Sequence, residues 1–270
     1  MEFEEFLKEA STLIGLQWRP FLKKGIKRKL ERRIKEIGLK NFKDYFIKIK
    51  EELYERENIS KILKITVSRF FRDREVFDRI ETSLIPILIE NYKRETINIW
   101  SIGCASGEEP YSIALIWRNS VQKMWPTAKL SILATDIDEN LINRAIEAKY
   151  QWSSLKEIPE EILKKYFKKE NGFYLLDPSV REGITFRRHN IIRDELYKDM
   201  DIILCRNLAF TYFSKTCQIE ILKKIGASLN SKGYLIIGKD ETLPLTYPTL
   251  FCSAFPKEKI YKKNSSSYHL

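Results

Sequence analysis

From Ile97 to Gly238 the chain repeats one pattern. A short run of β-branched and other apolar residues is followed, in most repeats, by a turn residue and a stretch with helical spacing. Ile97–Ile102 reads as a buried strand and Tyr111–Trp117 as the helix after it. Leu130–Asp136 is a second strand, followed by a helix over Glu139–Ala148. Asp201–Cys205 is a third strand, Ile219–Leu229 an amphipathic helix, and Gly233–Gly238 a fourth strand. Strands alternating with helices predict an α/β fold with a mostly parallel sheet covered on both faces. Sheets of that kind take ligands outside the carboxyl ends of their strands, where the strand order reverses. Thr249–Lys263 alternates around Phe255–Glu258 and predicts a closing antiparallel hairpin, so the last strand runs against the rest.

Two segments depart from this rhythm. Residues 1–63 hold little Gly or Pro and carry Ile34, Ile37, Leu39, Phe42, Tyr45 and Phe46 at helical intervals, which predicts an N-terminal helical domain ahead of a domain over 64–270. Gly38 is a helix stop. Residues 150–186 combine a charged helical piece (Glu160–Lys168), the turn Asn171–Gly172, and the short apolar pieces Phe173–Leu176 and Ile184–Phe186. They predict a small inserted subdomain of antiparallel strands.

Composition narrows the function classes. The chain is 43% hydrophobic, enough for a sizeable core. No apolar run approaches the roughly 18 residues of a membrane span. The start MEFEEFLKEA is acidic where a secretory leader is basic, which predicts a cytoplasmic protein. The cysteines Cys104, Cys205, Cys217 and Cys252 are widely spread and only 2 His are present, so no metal site is expected and the thiols read as reduced and mostly buried. The formal charge is +11, and Arg19–Glu36 alone holds nine basic residues against two acids. That stretch is either a solvated helix face or a docking surface for an acidic partner.

Four constellations carry chemistry. The strand ending at Ile102 runs into Gly103-Cys-Ala-Ser-Gly107-Glu108-Glu109-Pro110, a glycine turn opening a helix. Glycine permits the left-handed turn and close backbone approach. A phosphate site would place a basic or hydroxyl residue there. Two carboxylates suit instead a nucleoside bearing hydroxyls and a positive charge. Asp136, at the end of the next strand, is placed to accept from ribose hydroxyls, and Asp138 to cap the following helix. Thr66-Val-Ser68-Arg69-Phe-Phe-Arg72-Asp73 precedes the sheet, with the Phe pair as core. Cys205-Arg206-Asn207-Leu208 follows a buried strand, with Tyr212 on the next turn.

In this order the segments TVSRFFRD, WSIGCASGEEPYSIAL, ATDIDENL, FRRHNI and LCRNLAFTYF resemble the CheR-type methyltransferases, which methylate glutamates of bacterial chemotaxis receptors. The resemblance spans about residues 66 to 243. It implies a Rossmann-like class I methyltransferase fold that binds S-adenosylmethionine and releases S-adenosylhomocysteine. Carried over by position, the cofactor contacts are Thr66, Ser68, Arg72, Gly103, Gly107, Glu108, Asp136, Asn190, Ile191, Asn207 and Leu208. Arg72 and Tyr212 are the candidates for the reaction centre. It also implies an acidic protein substrate, such as receptor methylation helices, docking on the basic N-terminal helices. Three features depart from the family pattern. CRNLAFTYF has one residue more before its Tyr, the family's G-H-S-E is here Gly238-Lys239-Asp240-Glu241, and the insertion lacks a Gly-rich loop. They mark a divergent branch. A methyltransferase acting on RNA or a small molecule, and a cofactor-binding module without turnover, are the competing readings.

Overall fold

The computed structural model describes residues 1–16, 25–63 and 68–264. They form two compact units, residues 1–66 with 211–218, and residues 67–210 with 219–270.

The first unit contains the helices α1 (Phe3–Leu13), α2 (Ile26–Glu36), α3 (Phe42–Glu51) and α4 (Leu53–Leu63). Each buries one stripe. Phe6, Leu7 and Ala10 of α1 face inward, as do Ile26, Leu30 and Ile34 of α2 at four-residue spacing. Gly38, at φ +74°, follows the end of α2 as its sequence position predicts. Asn41 caps α3 by accepting from the Asp44 amide at 3.0 Å. Glu55 of α4 is buried and joins three helices, accepting from the Arg33 guanidinium of α2 and from the Tyr45 hydroxyl of α3 at 3.0 Å. Burial alone would raise its pKa. The hydrogen bonds from Arg33 and Tyr45 outweigh burial and hold it below the ordinary carboxylate value. Residues 211–218 join this unit through an antiparallel bridge between Leu16 and Phe213.

The second unit is built on ten strands: β1 (Thr96–Ile102), β2 (Lys129–Asp136), β3 (Lys149–Tyr150), β4 (Phe167–Glu170), β5 (Phe173–Leu176), β6 (Ile184–Arg188), β7 (Met200–Cys205), β8 (Leu229–Ile237), β9 (Phe251–Phe255) and β10 (Ile260–Lys263). Seven form one sheet in the order β6-β2-β1-β7-β8-β10-β9. The first five run parallel, and β10 and β9 close the sheet antiparallel. The order reverses between β1 and β7, which sets the switch point. The central strands are apolar on both faces, as covered parallel strands must be: Ile99, Trp100, Ile202, Ile203, Leu204, Leu235 and Ile236 are fully buried.

α5 (Arg74–Arg79) runs on through two π-helical turns, Ile80–Leu84 and Ile87–Asn91. α6 (Glu108–Ile116) is buried at nearly every position, the polar Glu108 and Ser112 included. β3, β5 and β4 make the small antiparallel sheet. Two details correct the sequence pattern. Ile184–Phe186 belongs to β6 at the edge of the main sheet, paired with Ile132–Ala134, and not to the insertion. The helix from Glu160 stops at Tyr166, because Phe167–Glu170 pairs with β5. No helix among the described residues is long and apolar enough to cross a membrane. All four cysteines are free and three are buried; Cys252 is exposed.

Candidate active site

The switch point is lined by the segments that leave β1, β2, β7 and β8. β1 delivers the chain into Gly103, whose amide and that of Cys104 both donate to the Thr135 carbonyl at 2.7 and 2.9 Å. Gly103 lies at φ +75°, and a Cβ there would stand 2.7 Å from the Leu208 side chain. Glycine is therefore required where the β1 and β7 turns meet. Gly107, at φ +89°, is the residue before α6, and a Cβ would crowd Tyr111 and Ala145 at 3.0 Å.

Glu108 opens α6 and is 3% exposed. One oxygen of its carboxylate has no hydrogen-bond partner among the described residues. Burial drives its pKa up, offset in part by backbone amides, Ser68 and the Arg144 charge. A buried acceptor left open in this way suits a hydrogen-bond donor from outside the chain. Glu109 has a different fate. It accepts from the Ser101 hydroxyl at 2.7 Å and from Arg206 at 3.0 Å, and so belongs to the framework.

Asp136 ends β2. Its two oxygens accept the amides of Ala105 and Asp138, each at 3.0 Å, so one carboxylate shapes both its own turn and the glycine turn. Asp138 caps the helix Glu139–Glu147 by accepting from Asn140, the role its position predicts. The Asp136 carbonyl accepts the His189 amide at 2.9 Å, which ties Asn190 and Ile191 to the same edge. Asn190 Oδ1 accepts from the Ile192 amide, and Lys224 holds the Ile191 carbonyl at 2.9 Å.

Arg72 and Asn207 meet across the switch point. Arg72 Nη2 donates to Asn207 Oδ1 at 3.3 Å. Asn207 sits in the left-handed region at φ +54°, as do Phe71 and Asp73 on the other side. Two buried groups that sequence reasoning passed over hold this arrangement. Arg206 donates to the Arg72 carbonyl (2.7 Å), Asp73 (2.8 Å) and Glu109 (3.0 Å), and lies over the Phe77 ring. Glu241 accepts the Asn207 and Gly238 amides at 2.8 and 2.7 Å. Asp73 binds Arg206 and Lys239.

Thr66 lies outside the described residues. Tyr212 belongs to the first unit, where it is buried. No group of three or more His, Cys, Asp or Glu side chains able to hold a metal ion occurs among the described residues.

The sequence model of the family described as "CheR methyltransferase, SAM binding domain" matches residues 66–259. The chain belongs to the CheR methyltransferase family. It is 32% identical over 238 residues to the chemotaxis protein methyltransferase of Listeria innocua, a match covering 88% of each chain. It is 29% identical over 251 residues to that of Borreliella burgdorferi, covering 90% of this chain and 88% of the other. It is 29% identical over 247 residues to chemotaxis protein methyltransferase 2 of Vibrio cholerae, covering 88% and 84%. The protein is thus a CheR-family, S-adenosylmethionine-dependent methyltransferase, and the matched domain contains the whole switch-point edge.

Proposed function

We propose that this CheR-family enzyme methylates glutamate carboxylates on an acidic, helical segment of a signalling protein, as a protein-glutamate O-methyltransferase. The observation that carries the reading is Arg72, a guanidinium held by Asn207 at the carboxyl edge of the sheet. A guanidinium fixes the direction of a carboxylate through paired hydrogen bonds.

The residues at that edge fit S-adenosylmethionine better than a phosphate-rich cofactor. A glycine turn is followed by the buried Glu108 with an open acceptor oxygen, and the next strand ends in Asp136. Glu108, Asp136, Ser68, Asn190, Ile191, Asn207 and Leu208 would hold it, with the Gly103 and Gly107 turns giving the backbone close approach. When bound, the cofactor supplies an electrophilic methyl on a sulfonium. The chain's own task is alignment. A glutamate side chain is ionised near neutral pH, with an ordinary pKa of about 4.3, so the transfer needs no general base. Arg72 orients the acceptor. Alignment of reacting groups is worth roughly 7–11 kcal/mol in well-oriented intramolecular reactions.

The basic face of α2 supports an acidic partner. Lys27, Arg28, Lys29, Arg32 and Lys35 are exposed, whereas Arg33 is turned to Glu55. Arg19, Lys23 and Lys24 of the same run lie outside the described residues.

The test is transfer of tritiated methyl from S-adenosylmethionine to a receptor-type acidic helical fragment, followed by mild base. Counts released as volatile methanol are expected, because a carboxyl ester is base-labile. Counts that stay fixed in base, or that enter RNA instead, contradict the glutamate assignment.

A further inference from the structure

We infer that Glu241 is a positioning residue of this methyltransferase. Its buried carboxylate sets the Asn207 turn, and through it both the cofactor edge and the Arg72 guanidinium. The inference rests on the reading that Asn207 and Arg72 line the methyl-transfer site.

Glu241 is 3% exposed and lies just beyond the end of β8. Burying a carboxylate is unfavourable unless its oxygens are hydrogen-bonded. One oxygen of Glu241, Oε2, accepts two backbone amides from the ends of two neighbouring strands: Gly238 after β8 at 2.7 Å and Asn207 after β7 at 2.8 Å. The bonds are charge-assisted and short, and they converge on one atom. Asn207 turns in the left-handed region at φ +54°, which Asn tolerates better than most non-glycine residues. Glu241 fixes the position of that turn by binding its amide. From the turn, Asn207 Oδ1 receives Arg72. The packing leaves no slack, because a Cβ on Gly238 would stand 2.9 Å from both Asn207 Oδ1 and Glu241 Oε2. Four groups, Gly238, Glu241, Asn207 and Arg72, therefore form one chain of contacts leading from the β8 end to the site.

A second buried carboxylate separates positioning from plain structural support. Asp201 is 1% exposed at the opposite end of β7. It also accepts a backbone amide from a neighbouring strand, that of Asn98 at 3.0 Å, and the Asn230 side chain at 2.8 Å. Like Glu241 it is a buried carboxylate bound to a neighbouring strand's amide in the same sheet, with an added ion pair to Arg94 at 3.0 Å, and it lies away from the switch-point edge.

The experiment is calorimetric titration of the full chain with S-adenosylhomocysteine, paired with thermal unfolding. Glu241→Ala is expected to weaken the Kd by on the order of 10- to 100-fold, the scale set by small misplacements at a preorganised site. Glu241→Gln keeps a carbonyl oxygen for the same two amides and is expected to restore most of that loss. Gly238→Ala pushes on the same pair while leaving the carboxylate and both amides paired, is expected to remain folded, and is expected to weaken binding in the same direction. Asp201→Asn is expected to lower the melting temperature while leaving the Kd at the wild-type value. Glu241→Ala or Gly238→Ala that binds as tightly as wild type overturns the positioning role. A weakening equal in Asp201→Asn overturns it too, because the effect would then be general. Failure of the wild-type chain to bind the compound at all would instead overturn the reading of the site.

Discussion

Replacing Arg206 by Met tests whether the ionic framework under the site is as tightly buried as the structure shows. The guanidinium side chain is 3% exposed and serves Asp73, Glu109 and the Arg72 carbonyl at once. Its two carboxylate partners are 10% and 14% exposed, so neither recovers full hydration when the arginine is removed. Breaking a buried pair by deleting one partner costs about 3–5 kcal/mol, most of it from the stranded charge. Domain stabilities run to about 5–15 kcal/mol, so this is a large share. With a urea m-value of about 3 kcal/mol/M, a loss of 4 kcal/mol lowers the midpoint by about 1.3 M at constant m. Urea unfolding followed by circular dichroism reads it directly. Adding Glu109→Gln and Asp73→Asn to Arg206→Met removes the stranded charges and should return a substantial part of the loss. A loss under about 1 kcal/mol for the single variant would place these pairs with solvent-screened surface bridges and refute the argument.

Three further outcomes follow from the same geometry. Burial raises the Glu108 pKa and its ionised form is the better acceptor, so S-adenosylhomocysteine binding should tighten as pH rises above the ordinary carboxylate pKa of about 4.3; Glu108→Gln should flatten that dependence, and an equally steep profile in the variant would contradict it. The Glu55 pKa is depressed in the folded chain, so its contribution to stability is present above the ordinary carboxylate pKa of about 4.3 and is lost as pH falls through the folded value. The stability gap between wild type and Glu55→Gln, measured by denaturation at successive pH values, should therefore shrink on acidification rather than stay constant. Reversing charge on α2 with Arg28→Glu and Arg32→Glu should raise KM for an acidic protein substrate with little change in kcat, and the difference should fade as salt is added.

The sheet was legible because β1, β2, β7 and β8 each carry a mostly apolar stretch closed by Gly, Asp or a Cys-Arg-Asn turn, and such stretches have few other places to go. β6 was less so. Ile184 and Phe186 alternate with exposed Thr185 and Arg187, which describes an edge strand without saying of which sheet; its pairing with β2 is a tertiary choice. Glu108 and Glu109 read as one acidic pair in sequence. Adjacent helical residues point about 100° apart, so one faces the open crevice edge and the other the Arg206 framework. Arg206 and Glu241 were passed over because charged residues are expected at the surface, and only the fold shows their partners. A signal did exist for Arg206: it directly follows the apolar run Ile202–Cys205 and precedes an Asn suited to a left-handed turn.

The most direct test of the account is the single-turnover rate of base-labile methyl transfer by Arg72→Ala, measured beside its affinity for S-adenosylhomocysteine. If Arg72 orients the acceptor carboxylate, the rate should fall on the order of 100-fold or more, well beyond any loss of cofactor affinity. A variant that transfers methyl at the wild-type rate while binding the compound normally would show that the guanidinium at the switch point does not direct the reaction.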